Sequence, residues 1–201
     1  MNKKWISKLA CDIEAKYGKK ESSKIFGNID LIKSNPNYLS IWFDKFTSGM
    51  DKLNDKKYLR QMMIKNCPCG RGDLVNGKKM KEIYEKSYNI EDFVNSFYKY
   101  LHKKYNGDVD KMELHGNVLY MIKPLKISKN AGKCGKGCHC SLAKYTEKNV
   151  SDIFCYCCTI GHTGKMFKIA FGENIKIEFI ESIICGGKEC KMAIYLPEKK
   201  V

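Results

Sequence analysis

The sequence predicts an α+β fold: a helical N-terminal half packed on a small antiparallel sheet, with a cysteine-rich connection. Three observations predict it. Hydrophobic residues recur at helical spacing through the first half of the 201 residues. Short β-rich runs separated by turn residues dominate the second half. Between these patterns, six of the eleven cysteines crowd into residues 134–158.

In "WISKLACDIEAKYG", Ile6, Leu9, Ile13 and Tyr17 fall on one helical stripe, and Gly18 stops the run. Cys11 is read as a buried thiol on that apolar face. A second helix is expected from Ser22 to Ile32, ending before Pro36. "NYLSIWFDKF" follows with Asn37 as its cap, then "NDKKYLRQMMIKN", which ends at the turn "CPCG". "KKMKEIYEKSY" supplies a fifth helix. "NIEDFVNSFYKYLHKKY" is the clearest: Asn89 caps it, acids stand at 91 and 92, and Phe93, Phe97, Tyr100 and Leu101 share a face.

The triplet "NGD" at 106–108 breaks the helical pattern. "KMELHGNVLYMIK" reads as a hairpin around His115–Gly116–Asn117. Residues 124–158 form a long cysteine-bearing connection. Residues 159–172, "TIGHTGKMFKIAFG", read as a short amphipathic helix with Gly172 at its C-terminal end. "NIKIEFIESII" and "CKMAIYLP" are two strands flanking Gly186–Gly187, a second hairpin. Strand–strand–helix–strand–strand after a helical front end is the α+β pattern. A helical region, 1–105, is thus followed by a mixed cysteine-rich region, 106–201. No composition shift marks a linker, so both are expected in one compact unit.

Composition narrows the function classes. No segment reads as a membrane span, and Asp12 and Glu14 interrupt the apolar run behind the basic start, unlike a signal peptide. The expected location is the cytoplasm, where close cysteines read as metal ligands or reactive thiols before disulfides. The net charge of +15 comes from 35 lysines and two arginines, Arg60 and Arg71, against 22 acids. It is spread along the chain: +7 over residues 1–66, +4 over 67–131 and +4 over 132–201. A nucleic-acid surface more often concentrates charge and uses arginine. Nothing in the sequence sets an oligomeric state.

The cysteines fall in groups. Cys67 and Cys69 stand in "CPCG", Cys134, Cys138 and Cys140 in "CGKGCHC", and Cys155, Cys157 and Cys158 in "FCYCC". Cys185 and Cys190 flank the last turn, where a disulfide is geometrically feasible but disfavoured in a reducing compartment. A tetrahedral zinc needs four sulfurs about 2.3 Å from one point. Cysteines at i and i+2 of a straight strand diverge, so a C-x-C pair shares an ion only where the backbone turns. Pro68 and Gly70 allow that turn at the first pair, Gly135 and Gly137 near the second. The third pair precedes a helix, whose dipole favours thiolates together with nearby lysines.

The expected metal ligands are Cys138, Cys140, Cys155 and Cys157, two pairs with a 14-residue spacer. Cys67 and Cys69 come next, followed by Cys134, Cys158 and His139. Cys158 and His162, four apart, share a face if the helix starts early enough. They and Cys157 are the candidate catalytic residues, although no third orienting residue is identifiable. Reduced cysteines lining a pocket are the plain alternative to a metal site.

The segment "FCYCCTIGHTGKMFKIAFGENIKIEFIESIICGGKECKMAIYLPE" resembles the closing module of an uncharacterised cysteine-rich family of anaerobic bacteria. That family is more distantly similar to the vinyl-reductase small-molecule-binding domain and to L-2-amino-thiazoline-4-carboxylic acid hydrolase-like proteins. "RQMMIKNCPCG" and "NIEDFVNSFYKYL" resemble its helical front end, and the likeness is firmest over residues 138–197. The resemblance implies helices and an antiparallel sheet enclosing a ligand pocket, with the C-x-C pairs at 67/69, 138/140 and 155/157 as its site. It implies no catalytic residue. Cys134 and Cys158 depart from its paired pattern.

Three functions follow as expectations. The first is binding of a metal, zinc ahead of an iron–sulfur cluster, or of a small molecule, through clustered cysteines. The second is a thiolate-dependent hydrolase or reductase of a small compound. The third is nucleic-acid binding around a structural zinc, which the diffuse lysines disfavour.

Overall fold

The computed structural model describes residues 3–27, 36–67, 71–107, 109–123, 146 and 148–198. The α+β class is as the sequence predicts: helices fill the N-terminal half and a four-stranded antiparallel sheet lies in the C-terminal half.

Helix α1 covers Lys3–Tyr17 and α2 Lys19–Phe26. Gly18, at φ 85, makes the corner between them. The second helix ends at Gly27, earlier than the Ile32 expected, because Gly27 adopts φ 57 and closes the last turn. Helix α3 covers Pro36–Asp51 and α4 Lys56–Lys65, the latter capped by the Asp55 carboxylate, which accepts from the Tyr58 amide at 2.9 Å. Helix α5, Arg71–Lys86, starts well before the run that announced it. Helix α6, Ile90–Lys104, has the expected Asn89 cap, accepting from the Asp92 amide at 2.8 Å.

Strands β1, Lys111–His115, and β2, Val118–Lys123, form the first hairpin, closed by Gly116–Asn117. A 3₁₀ turn at Asp152–Phe154 and a π-type segment at Cys157–Thr163 lead into α7, Gly164–Phe171. Strand β3 is Lys176–Glu181 and β4 Cys190–Tyr195. The sheet order is β1-β2-β4-β3, with a register irregularity between Phe179 and Glu181. β3 stops at Glu181 because Ile183–Cys185 curls into a 3₁₀ turn ahead of Gly186, at φ 95.

Two hydrophobic cores form among the described residues. One gathers α5, α6, α7 and the sheet around Phe93, Phe97, Phe167, Leu119 and Met192. Gly77 lets α5 and α7 approach closely: a Cβ there would lie 2.7 Å from that of Ile169. The other gathers α1–α4 around Ile6, Leu9, Trp42, Phe46 and Leu59. The C-terminal half contributes Val150, Ile153, Phe154, Cys155, Cys157 and Ile184 to it. Phe154 is the anchor, its ring 6.0 Å from Phe43 and 5.2 Å from Phe46. The residue immediately before the cysteine run is therefore held by helix α3.

Candidate functional site

Described cysteines meet at two places. The first lies where α4 ends. Cys67 follows that helix, its amide donating to the Ile64 carbonyl at 3.3 Å. Its thiol and that of Cys158 hydrogen-bond Cys157, which is buried. The approach depends on Gly161: a Cβ there would lie 3.1 Å from the Cys67 Cβ and 3.2 Å from the Ile64 Cα and carbonyl oxygen. The backbone supporting the cysteines coils with i→i+5 bonds, the Gly164 amide donating to the Thr159 carbonyl. Arg60 fixes the entry to this coil by an ion pair with Asp152 and by lying over the Tyr156 ring, 5.0 Å from its centroid.

The second meeting place is at the β3–β4 connection. The Cys155 Sγ lies 2.7 Å from Ser182 Oγ and 3.5 Å from Cys185 Sγ. The Ser182 hydroxyl donates to Cys185 Sγ at 3.2 Å. Cys155 and Ser182 are buried, and Cys185 is half-buried. The Val150 amide donates to the Ile184 carbonyl at 3.0 Å, which ties the chain ahead of Cys155 to the same turn.

The two groups differ electrostatically. The hydrogen bonds to Cys158 and Cys67, and then burial, push the Cys157 thiol strongly up, so it stays protonated. Hydrogen bonding from Cys155, against the cost of burial, and then from Ser182, pulls Cys185 below the ordinary thiol range. Of these two thiols, Cys185 is the one more readily ionised.

Residues 135–201 match a family of unknown function (DUF6144). No curated protein and no solved structure matches the chain. The matched segment includes both meeting places except for Cys67.

The expected site residues distribute as follows. Cys69, Cys134, Cys138, His139 and Cys140 lie outside the described residues. Cys155 and Cys157, expected as one pair, have different thiol partners: Cys185 for the first, Cys67 and Cys158 for the second. Cys67 does come alongside the "FCYCC" run. His162 lines a cavity of about 260 Å³ together with Asn76, Tyr105, Asp110 and Thr163. In its wall Asn76 donates to the Tyr105 hydroxyl at 2.9 Å and accepts from Lys104 at 2.7 Å. Cys11 is exposed rather than buried, since it stands two positions from both Leu9 and Ile13 and so points away from their stripe. Cys185 and Cys190 are not joined by a disulfide. Among the described residues, no three His, Cys, Asp or Glu side chains are set to hold a metal ion. No described helix is long and apolar enough to cross a membrane.

Sequence reasoning missed Ser182 and the Cys155–Cys185 contact. The available signal was the run "ESIICGG", which puts a hydroxyl and a thiol three apart ahead of two turn glycines.

Proposed function

We propose that the chain is a cytoplasmic protein that binds a thiophilic metal ion, zinc first, through cysteines gathered at the end of α4. The observation that carries this is the convergence of Cys67 on Cys157 and Cys158 across the Gly161 contact. The described thiols form no complete ligand set by themselves, so Cys67 and Cys157 serve as two soft ligands, which a divalent ion binds by displacing their protons, and the rest must come from the cysteine-bearing connection. In this reading Cys67 and Cys157 act with Cys138 and Cys140 of the connection, and Cys155 has a separate role. An iron–sulfur cluster is the second candidate occupant. A small-molecule ligand is a further part of this proposal, and the cavity beside His162 offers it space.

Anaerobic purification followed by elemental analysis and an absorption spectrum tests the reading. One equivalent of zinc per chain is expected, lost in Cys157→Ser and in the Cys138→Ser, Cys140→Ser double variant. A colourless, metal-free protein that takes up no zinc on titration sinks it.

A thiolate-dependent enzyme is the second reading, and the depressed Cys185 thiol is what favours it. Limited iodoacetamide labelling distinguishes it: Cys185 should react faster than the exposed Cys11, and equal rates would remove its basis.

A further inference from the structure

The contact between Cys155 and Cys185 is not used by the metal reading. Two sulfurs 3.5 Å apart, with a serine hydroxyl within hydrogen-bond reach of both, are already in van der Waals contact. They come from two segments that the same core and one backbone bond hold against each other. Phe154 is packed against Phe43 and Phe46, and the 183–185 turn is fixed by the Val150–Ile184 backbone bond. Cys185 is half-buried and Cys155 is fully enclosed. That asymmetry is what a thiol–disulfide exchange pair needs: an outer thiol that meets the substrate and an inner thiol that resolves the product.

We propose that Cys185 and Cys155 form such a pair, with a low-molecular-weight disulfide as substrate. Cys185, its proton released to water, attacks one sulfur of the small disulfide. The S–S bond of that molecule breaks, one small thiolate leaves, and Cys185 is held in a mixed disulfide. Cys155 then attacks the Cys185 sulfur, and its proton departs with the second small thiol. The chain loses two hydrogens and two electrons in forming the Cys155–Cys185 bond, and the small disulfide is reduced to two thiols. Ser182 is a positioning residue that holds both sulfurs. Cys190, buried and five positions beyond Cys185, is the competing partner.

The test uses the full chain, stripped of metal and incubated with oxidised glutathione, followed by peptide mapping without reduction. The expected product links Cys155 to Cys185, removes two thiols per chain and reverts with dithiothreitol. Cys155→Ser should accumulate one glutathione per chain on Cys185, and Cys185→Ser should leave Cys155 unmodified. Cys67→Ser should give the wild-type map, so the result does not depend on the metal reading. A Cys185–Cys190 link, or an unmodified Cys185, overturns the proposal. The wild-type map decides it even if a variant fails to fold.

Discussion

Gly161 shows how much one missing side chain can position. Its neighbours across the interface include α4 backbone, which cannot rotate aside as a flexible side chain could. Gly161→Ala should therefore cost about 1–3 kcal/mol, measured by urea unfolding. It should also weaken zinc uptake by parting Cys67 from Cys157. Cys157 supplies a pH-dependent prediction. Its pKa is raised in the folded chain, so the folded state retains a proton that the unfolded state releases once pH passes the ordinary thiol range. Stability of the metal-free protein should be at its full value below that range and decline above it, by up to about 1.4 kcal/mol per pH unit. Urea titrations across the alkaline range should show the slope, and Cys157→Ala should reduce it. At this scale the sequence was a partial guide. It placed Cys67 next after the two expected pairs, and Cys67 does meet the "FCYCC" run. It did not reveal that neighbours two apart, Cys155 and Cys157, would take different partners, because that depends on where an α-like coil becomes a π-type one.

Elements were more legible than contacts between them. Helix α6 was readable from Asn89, its two early acids and its aromatic stripe, since each is a local property of the chain. Asn89→Ala should remove the cap on the Asp92 amide and cost about 1 kcal/mol, with a lower midpoint of thermal unfolding. The first hairpin was equally local, its two-residue turn set by Gly116 and Asn117. The second was not. The expected strand through Ile184 gives way at Ser182, because Ile183 and Ile184 are both buried and a straight strand would send them to opposite faces. The curl that buries both also turns Cys185 toward Cys155.

Across the whole molecule, the two cores share responsibility for the thiols. Strand β4 belongs to the sheet core, while Phe154 and Ile184 belong to the helical one. Phe154→Ala should destabilise the chain by about 3–5 kcal/mol. The same substitution should release the cysteine run, seen as faster alkylation of Cys155 in native protein. No local pattern announced this arrangement, because Phe154 meets Phe43 and Phe46 only after more than a hundred residues of intervening chain.

Thirty positions separate Cys155 from Cys185. A covalent link between them would enclose α7 and β3 in a ring. By loop-closure entropy it would strip about 3–4 kcal/mol of freedom from the unfolded ensemble. The melting temperature then becomes a gauge of redox state, higher in the oxidised chain than in the reduced one. Proteolytic nicking within the ring would leave its two fragments joined.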